Sequence, residues 1–262
     1  MPREPSQTHA VIIPSFNSGN QLGPVIREVC TRWAPVWLVL DGSTDESVND
    51  ALALDSEFPH LHVVRRDANG GKGEAFLAAA RQALAHGFTH ALSMDADGQH
   101  CVEDIVRFMS ISRSHPDAMI LGVPVFGSDA PIERVKGRTI GNWWTRVATC
   151  GGDIGDSLFG FRVYPLGETV RILDAIRTAR RFDFDTELVV RLYWRGIRPV
   201  NVPSRVTYPS THAGGVSHFR YLRDNVLLIG THLRLFFGML GRIPRLLCLP
   251  ARHRKSAASS SS

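Results

Sequence analysis

The sequence predicts an α/β protein built on a mostly parallel central sheet flanked by helices, and three observations carry that expectation. Short apolar runs recur at 9–14, 36–40, 61–64, 90–94 and 118–123, and helical patterns fill the gaps between them. Strands alternating with helices of this length form βαβ units. Three polar, turn-rich segments, "PSFNSGN", "DGSTDES" and "DADGQH", follow the first, second and fourth runs. Ligands of such sheets sit beyond the carboxyl ends of the strands, so the three segments are expected to converge on one crevice.

The elements follow in order. "HAVIIP" leads into "PSFNSGN", and "VWLVL" into "DGSTDES". There Asp41 ends the strand, Gly42 and Ser43 make the turn, and Thr44 or Asp45 can cap the next helix. "LHVV" precedes "RRDANGGKGEAF", in which Gly70, Gly71 and Gly73 open a helix that runs to a C-cap at Gly87. "HALSM" ends in Asp95-Ala96-Asp97-Gly98-Gln99-His100, and "AMILGV" closes the alternating part. From about 125 to 160 the pattern loosens into "FGSDAPIERVKGR", a helix "TIGNWWTRVATC" and the glycine-rich "GGDIGDSLFGFR". A helix covers "FDFDTELVVRLYWRG", and "RPVNVPSRVTYP" passes from strand into loop. Segment 219–247 has apolar residues at Leu222, Val226, Ile229, Leu233, Phe236, Phe237 and Leu240, with arginine at 220, 223, 234, 242 and 245. It reads as a helix that either packs on the core or lies on a membrane surface. Trp143 and Trp144 read either as core or as facing an acyl or prenyl chain. "SAASSSS" is a low-complexity tail, expected to be disordered.

Composition bounds the function. A hydrophobic fraction of 44% in 262 residues supports a sizeable core without requiring two domains. Four scattered cysteines with no C-x-x-C pair argue against a disulfide framework or structural zinc and suit a reducing cytoplasm. The first residues show no secretory signal, and no run reaches the roughly 18–20 apolar residues that span a bilayer. The net charge of +5 points to an anionic partner, and 27 of the 30 basic residues are arginine, whose fork suits phosphate. A nucleic-acid binder needs a basic stripe with interleaved aromatics, and the acidic crevice segments argue against one.

Asp95 and Asp97 at a strand's end offer two hard oxygen ligands of the kind that bind Mg²⁺ or Mn²⁺, although such a pair alone also suits a turn. Gly98 comes too early for an EF-hand loop. The glycines around Lys72 precede a helix start that exposes N–H groups to an anion, but they match neither a P-loop nor an intact dinucleotide fingerprint. Asp41 can accept hydrogen bonds from a base or ribose.

"VIIPSFNSG", "VLDGSTDES", "NGGKGEA" and "DADGQH", continued by "DSLFGFRVY" and "FDFDTELVVRLYWRG", resemble the inverting family 2 glycosyltransferases with the GT-A fold, over about residues 9–210. Within that family the chain looks most like the dolichyl- and polyprenyl-phosphate sugar synthases. "DADGQH", the "GFR" motif and the compact length without a Q-x-x-R-W motif carry that likeness. The resemblance implies that Pro14, Phe16, Asn17, Asp41, Gly71, Lys72 and Ala96 bind a UDP- or GDP-sugar. It implies that Asp95, Asp97 and Gln99 hold Mn²⁺ or Mg²⁺, with His218 completing the shell, and that Arg138 and Arg162 meet a lipid-linked acceptor.

Two departures stand out: Leu40-Asp41 replaces the family's aspartate pair, and Gly122 is followed by Val123-Pro124 where that branch has G-S-R. The second removes an arginine expected at the acceptor phosphate, while Arg138 remains. Asp185 aligns with the general base of members that use hydroxyl acceptors, because an alcohol must lose a proton during attack and an ionised phosphate need not. Asp183, Asp185 and Glu187 equally suit the acidic first turn of a helix. The acceptor is expected to be a polyprenyl phosphate; a hydroxyl on a lipid or an arylpolyene-type metabolite is the alternative, and an inactive membrane-binding scaffold is a third reading. The expected organisation is an extension at 1–8, a GT-A domain at 9–218, a basic-apolar helical segment at 219–250 and a tail at 251–262. The expected location is the inner face of the cytoplasmic membrane.

Overall fold

In a computed structural model, residues 4–127, 132–178, 180–206 and 221–249 are described. Their seven strands are β1 (His9–Ser15), β2 (Val36–Asp41), β3 (Leu61–Arg66), β4 (His90–Ser93), β5 (Ala118–Val125), β6 (Arg162–Pro165) and β7 (Arg198–Arg205). They form one sheet in the order β3-β2-β1-β4-β6-β5-β7, parallel except for β6, which runs antiparallel to both neighbours. The five alternating runs appear as β1 to β5, and the strand expected in "RPVNVPSRVTYP" appears as β7. β6 is an addition, and it joins the parallel half-sheet to β5 and β7.

The helices are α1 (Leu22–Arg32), α2 (Ser47–Glu57), α3 (Lys72–Ala85), α4 (Asp104–Ser114), α5 (Ile132–Ala148), α6 (Leu166–Ala175), α7 (Phe184–Trp194), α8 (Tyr221–Leu240) and α9 (Ile243–Leu247). Alternation along β1 sends Val11 and Ile13 into one core layer with Leu22 and Ile26 of α1 and Phe108 of α4. Ala10 and Ile12 enter the other, with Phe76 of α3, Leu188 of α7 and Leu235 of α8. With both faces covered, a parallel sheet needs continuous apolar strands, which is why the runs are legible.

α3 ends as expected: Gly87, at φ +88°, lets its own N–H donate to the Leu84 carbonyl and that of Phe88 to Ala83, both at 3.0 Å. This double bond closes the last turn. The cap of α2 differs from expectation. Its N-cap is Glu46, with no side-chain capping bond, and the Asp45 carboxylate instead accepts from the Gly19 amide at 2.8 Å. Asp45 therefore ties the loop after β1 to the loop after β2.

α8 packs on the core with one face, as the first reading of the C-terminal segment expects. Thr231, Leu235 and Met239 are buried, and Arg234 donates to Glu187 of α7 at 2.8 Å. The opposite face is apolar and exposed. No helix among the described residues is long and apolar enough to cross a membrane.

Candidate active site

Strand order creates the crevice. β1 leads to β2 and β3 on one side, whereas β4 lies on the other, so the chain reverses direction between β1 and β4. Open α/β sheets bind ligands at such a switch point. The segments after β1, β2 and β4 leave the sheet side by side there.

Asn17, at φ +45°, stitches the first two loops together: its amide donates to Ser43 Oγ (3.1 Å) and its side-chain oxygen accepts from the Thr44 amide (2.9 Å). Pro14 and Phe16, beside it, are half-buried. Asp41 is buried, with Oδ2 accepting from the Gly71 amide at 2.7 Å and Oδ1 from Gly70 at 3.2 Å and Arg66 at 2.6 Å. Both oxygens hold the glycine loop, so in this structure Asp41 shapes the loop that was expected to lie beside the donor. Gly71 sits at φ +95°, and a Cβ there would come within 2.5 Å of the Arg180 carbonyl. Only glycine fits that approach. Leu40, where the family has its first aspartate, is buried in the core.

The loop delivers Lys72 to the centre of the site. Its Nζ lies 2.6 Å from Asp95 Oδ1 and 2.7 Å from Asp185 Oδ2. Burial works against the ammonium, but the two carboxylates outweigh it and hold its pKa above the usual lysine range. Burial likewise opposes ionisation of Asp95, and Lys72 outweighs it, keeping that carboxyl below its usual range. Gly160 leaves room for this pair: a Cβ there would fall 2.5 Å from Lys72 Nζ and 2.8 Å from Asp95 Oδ2.

The Asp95 amide donates to His100 Nδ1 at 3.1 Å, which puts the imidazole proton on Nε2. Burial lowers His100 to about 4, so the ring is neutral at pH 7. Asp97 is pushed up to about 6, by burial first and by the Asp95 charge second. Ala96 is buried between them, and the Gln99 amide donates to Asp97 Oδ1 at 3.0 Å. Two repelling carboxylates and a half-exposed amide side chain are a donor set that fits a divalent cation. Among the described residues no cluster of three or more His, Cys, Asp or Glu side chains could hold a metal ion. Mg²⁺ sites of the kind that draw further ligands from substrate phosphates need no larger protein cluster.

Asp183, Asp185 and Glu187 occupy the N-cap and first turn of α7. Asp183 and Glu187 face Arg234, and Glu187 also pairs with Arg191. Asp185 alone turns to Lys72; its Oδ1 is buried without a hydrogen bond, 3.8 Å from Arg162 Nη1. Arg162 differs from its expected place at an acceptor. It is fully buried and donates to the Asp185 carbonyl (2.7 Å), the Asp156 carbonyl (3.1 Å) and Tyr164 Oη (3.1 Å). It presents no surface to a ligand and instead fixes the start of α7 against β6.

Arg138 is half-buried on α5, its Nη1 2.7 Å from Asp156 Oδ1. Asp156 also accepts from Asn142 and from the amides of Leu158 and Phe159. This aspartate, which sequence reasoning passes over, sets the direction of Arg138; its signal is the "D" of "DSLFGFR". His218 lies outside the described residues.

A parallel half-sheet carrying paired carboxylates, a glycine loop and a lysine at its carboxyl edge defines a glycosyltransferase of the GT-A class. The chain belongs to glycosyl transferase family 2, whose model matches residues 10–164. It is similar to the polyprenol monophosphomannose synthase of Mycolicibacterium smegmatis, 28% identical over 219 residues that make up 78% of each chain. It is also similar to the undecaprenyl-phosphate mannosyltransferase of Micrococcus luteus, 29% identical over 73% of this chain and 80% of that one. The fold recurs in glucosyl-3-phosphoglycerate synthase of Mycobacterium tuberculosis, at a TM-score of 0.61 and 15% identity, covering 90% of this chain and 81% of that one. The same enzyme solved with Mn²⁺ and UDP-glucose gives 0.60 at 16% identity, covering 90% and 79%.

Proposed function

We propose that this family 2 glycosyltransferase is metal-dependent and inverting, and that it moves a sugar from a nucleotide donor to a membrane-borne polyprenyl phosphate. The observation that carries the reading is likeness over about three quarters of the chain to two proteins named for polyprenyl phosphates. Asp185 fits it: one oxygen takes a hydrogen bond from Lys72 and the other is buried, a poor arrangement for collecting a proton from an alcohol. An already ionised phosphate needs no such base.

Asp95, Asp97 and Gln99 would hold Mn²⁺ or Mg²⁺, which supplies positive charge against the departing nucleoside diphosphate. Lys72 adds a fixed cation on the same side, held in place by the glycine loop whose Gly70 and Gly71 amides donate to Asp41. Arg138, aimed by Asp156, meets the acceptor phosphate, whose oxygen attacks the anomeric carbon from the face opposite the leaving group. The absence of an arginine after Gly122 is the observation that favours the second reading, transfer to a hydroxyl with Asp185 as base.

The test is a panel of UDP- and GDP-sugars incubated with the enzyme and membrane lipid extract, with products identified by mass. An acid-labile phosphate-linked sugar supports the first reading. An acid-stable glycoside would replace it with the second.

A further inference from the structure

Away from the crevice, a cavity of about 290 Å³ is lined by Arg191, Arg195, Arg242 and Arg245 around Trp194. It lies at the far end of α7, ten residues beyond Asp185 or about 15 Å of helix. The reaction described above uses none of these groups. Arg191 is neutralised by Glu187 at 2.6 Å; among the described residues no carboxylate pairs with Arg195, Arg242 or Arg245. The ring of Trp194 organises them, with the Arg242 guanidinium 4.7 Å and that of Arg191 5.9 Å from its centroid. Gly238 permits the approach, since a Cβ there would meet the Trp194 ring at 2.9 Å. Converging guanidinium forks with surplus positive charge make a receptor for phosphate oxygens.

Beside it, an apolar face stands exposed among the described residues. On α8, Val226, Ile229, Leu233, Phe237 and Leu240 recur at helical spacing on the side opposite the buried Leu235, and Phe237 is 66% exposed. α5 extends the face with Ile140 and with Trp143, 57% exposed. Ring contacts from Trp143 to Trp144 (5.0 Å), Trp144 to Phe236 (6.3 Å) and Phe236 to Phe237 (5.7 Å) join the two helices. Arg242 and Arg245 follow within five residues of Leu240, so the arginine cavity adjoins the end of the apolar stripe.

We propose that the cavity formed by Arg191, Arg195, Arg242 and Arg245 binds the phosphate headgroup of an anionic lipid while the α8–α5 face lies in the bilayer surface. Exposed apolar residues on one helix face with arginines at its end are the pattern of an interfacial helix. Charge complementarity selects anionic lipid over a second copy of a chain that itself carries +5. Docked this way, α5, the helix that also carries Arg138, lies at the membrane. The inference rests on the membrane-borne acceptor proposed above.

The test is co-flotation of the full chain, without sugar nucleotide, with vesicles of phosphatidylcholine alone and of phosphatidylcholine containing about one third phosphatidylglycerol. The chain is expected to float with the anionic vesicles and much less with the neutral ones. Arg242→Gln with Arg245→Gln weakens anionic partitioning about 30-fold, at ~1 kcal/mol for each arginine near the surface. Phe237→Ser weakens partitioning onto both vesicle types. Because Arg242 also stacks on Trp194, Arg195→Gln with Arg245→Gln is the second variant, with an unchanged unfolding midpoint as the check on folding. Equal flotation with both vesicle types, flotation with neither, undiminished flotation of both arginine variants, or a concentration-dependent dimer that binds no vesicle would overturn the site. The two proposals fail separately. A chain that floats as expected but forms no phosphate-linked product keeps the docking site and loses the acceptor reading. One that glycosylates a short polyprenyl phosphate in detergent but never floats does the reverse.

Discussion

Lys72 of α3 and Asp185 of α7 meet across the crevice, Nζ to Oδ2 at 2.7 Å, and the same ammonium reaches Asp95 Oδ1 at 2.6 Å. One buried cation therefore joins a proposed metal ligand to the aspartate on which the acceptor's chemistry turns. Lys72 is one of only three lysines in the chain, placed by a loop that Asp41 holds through two backbone amides.

Removing that cation leaves the buried Asp185 carboxylate and the partly exposed Asp95 carboxylate without their shared partner. Breaking a buried ion pair by deleting one partner costs on the order of 3–5 kcal/mol. Lys72→Met is expected to lower the thermal midpoint by roughly 6–20 °C, at about 2–4 °C per kcal/mol for a chain near this size. An unchanged midpoint would mean that Asp95 and Asp185 are not held by Lys72.

Gly160→Ala separates the pair from the fold. The added Cβ meets the flexible end of Lys72 and one oxygen of Asp95 rather than backbone, so the side chains can give way. The expected outcome is a midpoint within a few degrees of wild type and at least a tenfold loss of turnover. Wild-type turnover would show that the Lys72–Asp95 contact is not needed.

The pH dependence follows from three buried groups. His9 and His100 are lowered to about 4 by burial, below their unfolded value of 6.5. Between those values the unfolded chain binds more protons, so stability is lost as pH falls through that window. Asp97, raised to about 6 from 3.8, works the other way, because the folded state gains its proton first. Two histidines outweigh one aspartate, so the midpoint is expected to fall between pH 6.5 and 4, and less steeply in His9→Asn. Mn²⁺ must displace the Asp97 proton, so its affinity is expected to drop about tenfold per pH unit below pH 6. A flat profile for metal binding, read by calorimetry, would place the metal away from Asp97.

Arg138 and Asp156 give a kinetic split. Arg138→Ala is expected to raise KM for a polyprenyl phosphate at least tenfold while donor KM changes little. Asp156→Asn, which releases Arg138 from its 2.7 Å pair, should follow the same pattern more weakly. A rise confined to donor KM would move Arg138 to the nucleotide side.

The parallel half of the fold is legible because its strands are buried on both faces and read as uninterrupted apolar runs. β6 is not: four residues with Arg162 at their head carry no such pattern, and its antiparallel entry between β4 and β5 is decided by distant partners. The family resemblance assigns Arg162 to the acceptor; the fold instead spends it on two backbone carbonyls and Tyr164. Asp95, Asp97 and Lys72 are legible through their motifs, but the Lys72–Asp185 contact spans 113 positions and no local spacing encodes it. The role of Asp156 is hidden likewise, since it lies in the loop before β6 and its partner Arg138 lies 18 positions back on α5.

The most direct measurement is calorimetric titration of UDP and of GDP into the protein with and without Mn²⁺, repeated with Asp97→Ala. One of the two nucleotides is expected to bind at least tenfold tighter with the metal, and that gain should vanish in the variant. Nucleotide affinity indifferent to Mn²⁺, or a metal effect that survives in Asp97→Ala, would contradict Asp95 and Asp97 as the ligands of a metal shared with the donor's phosphates.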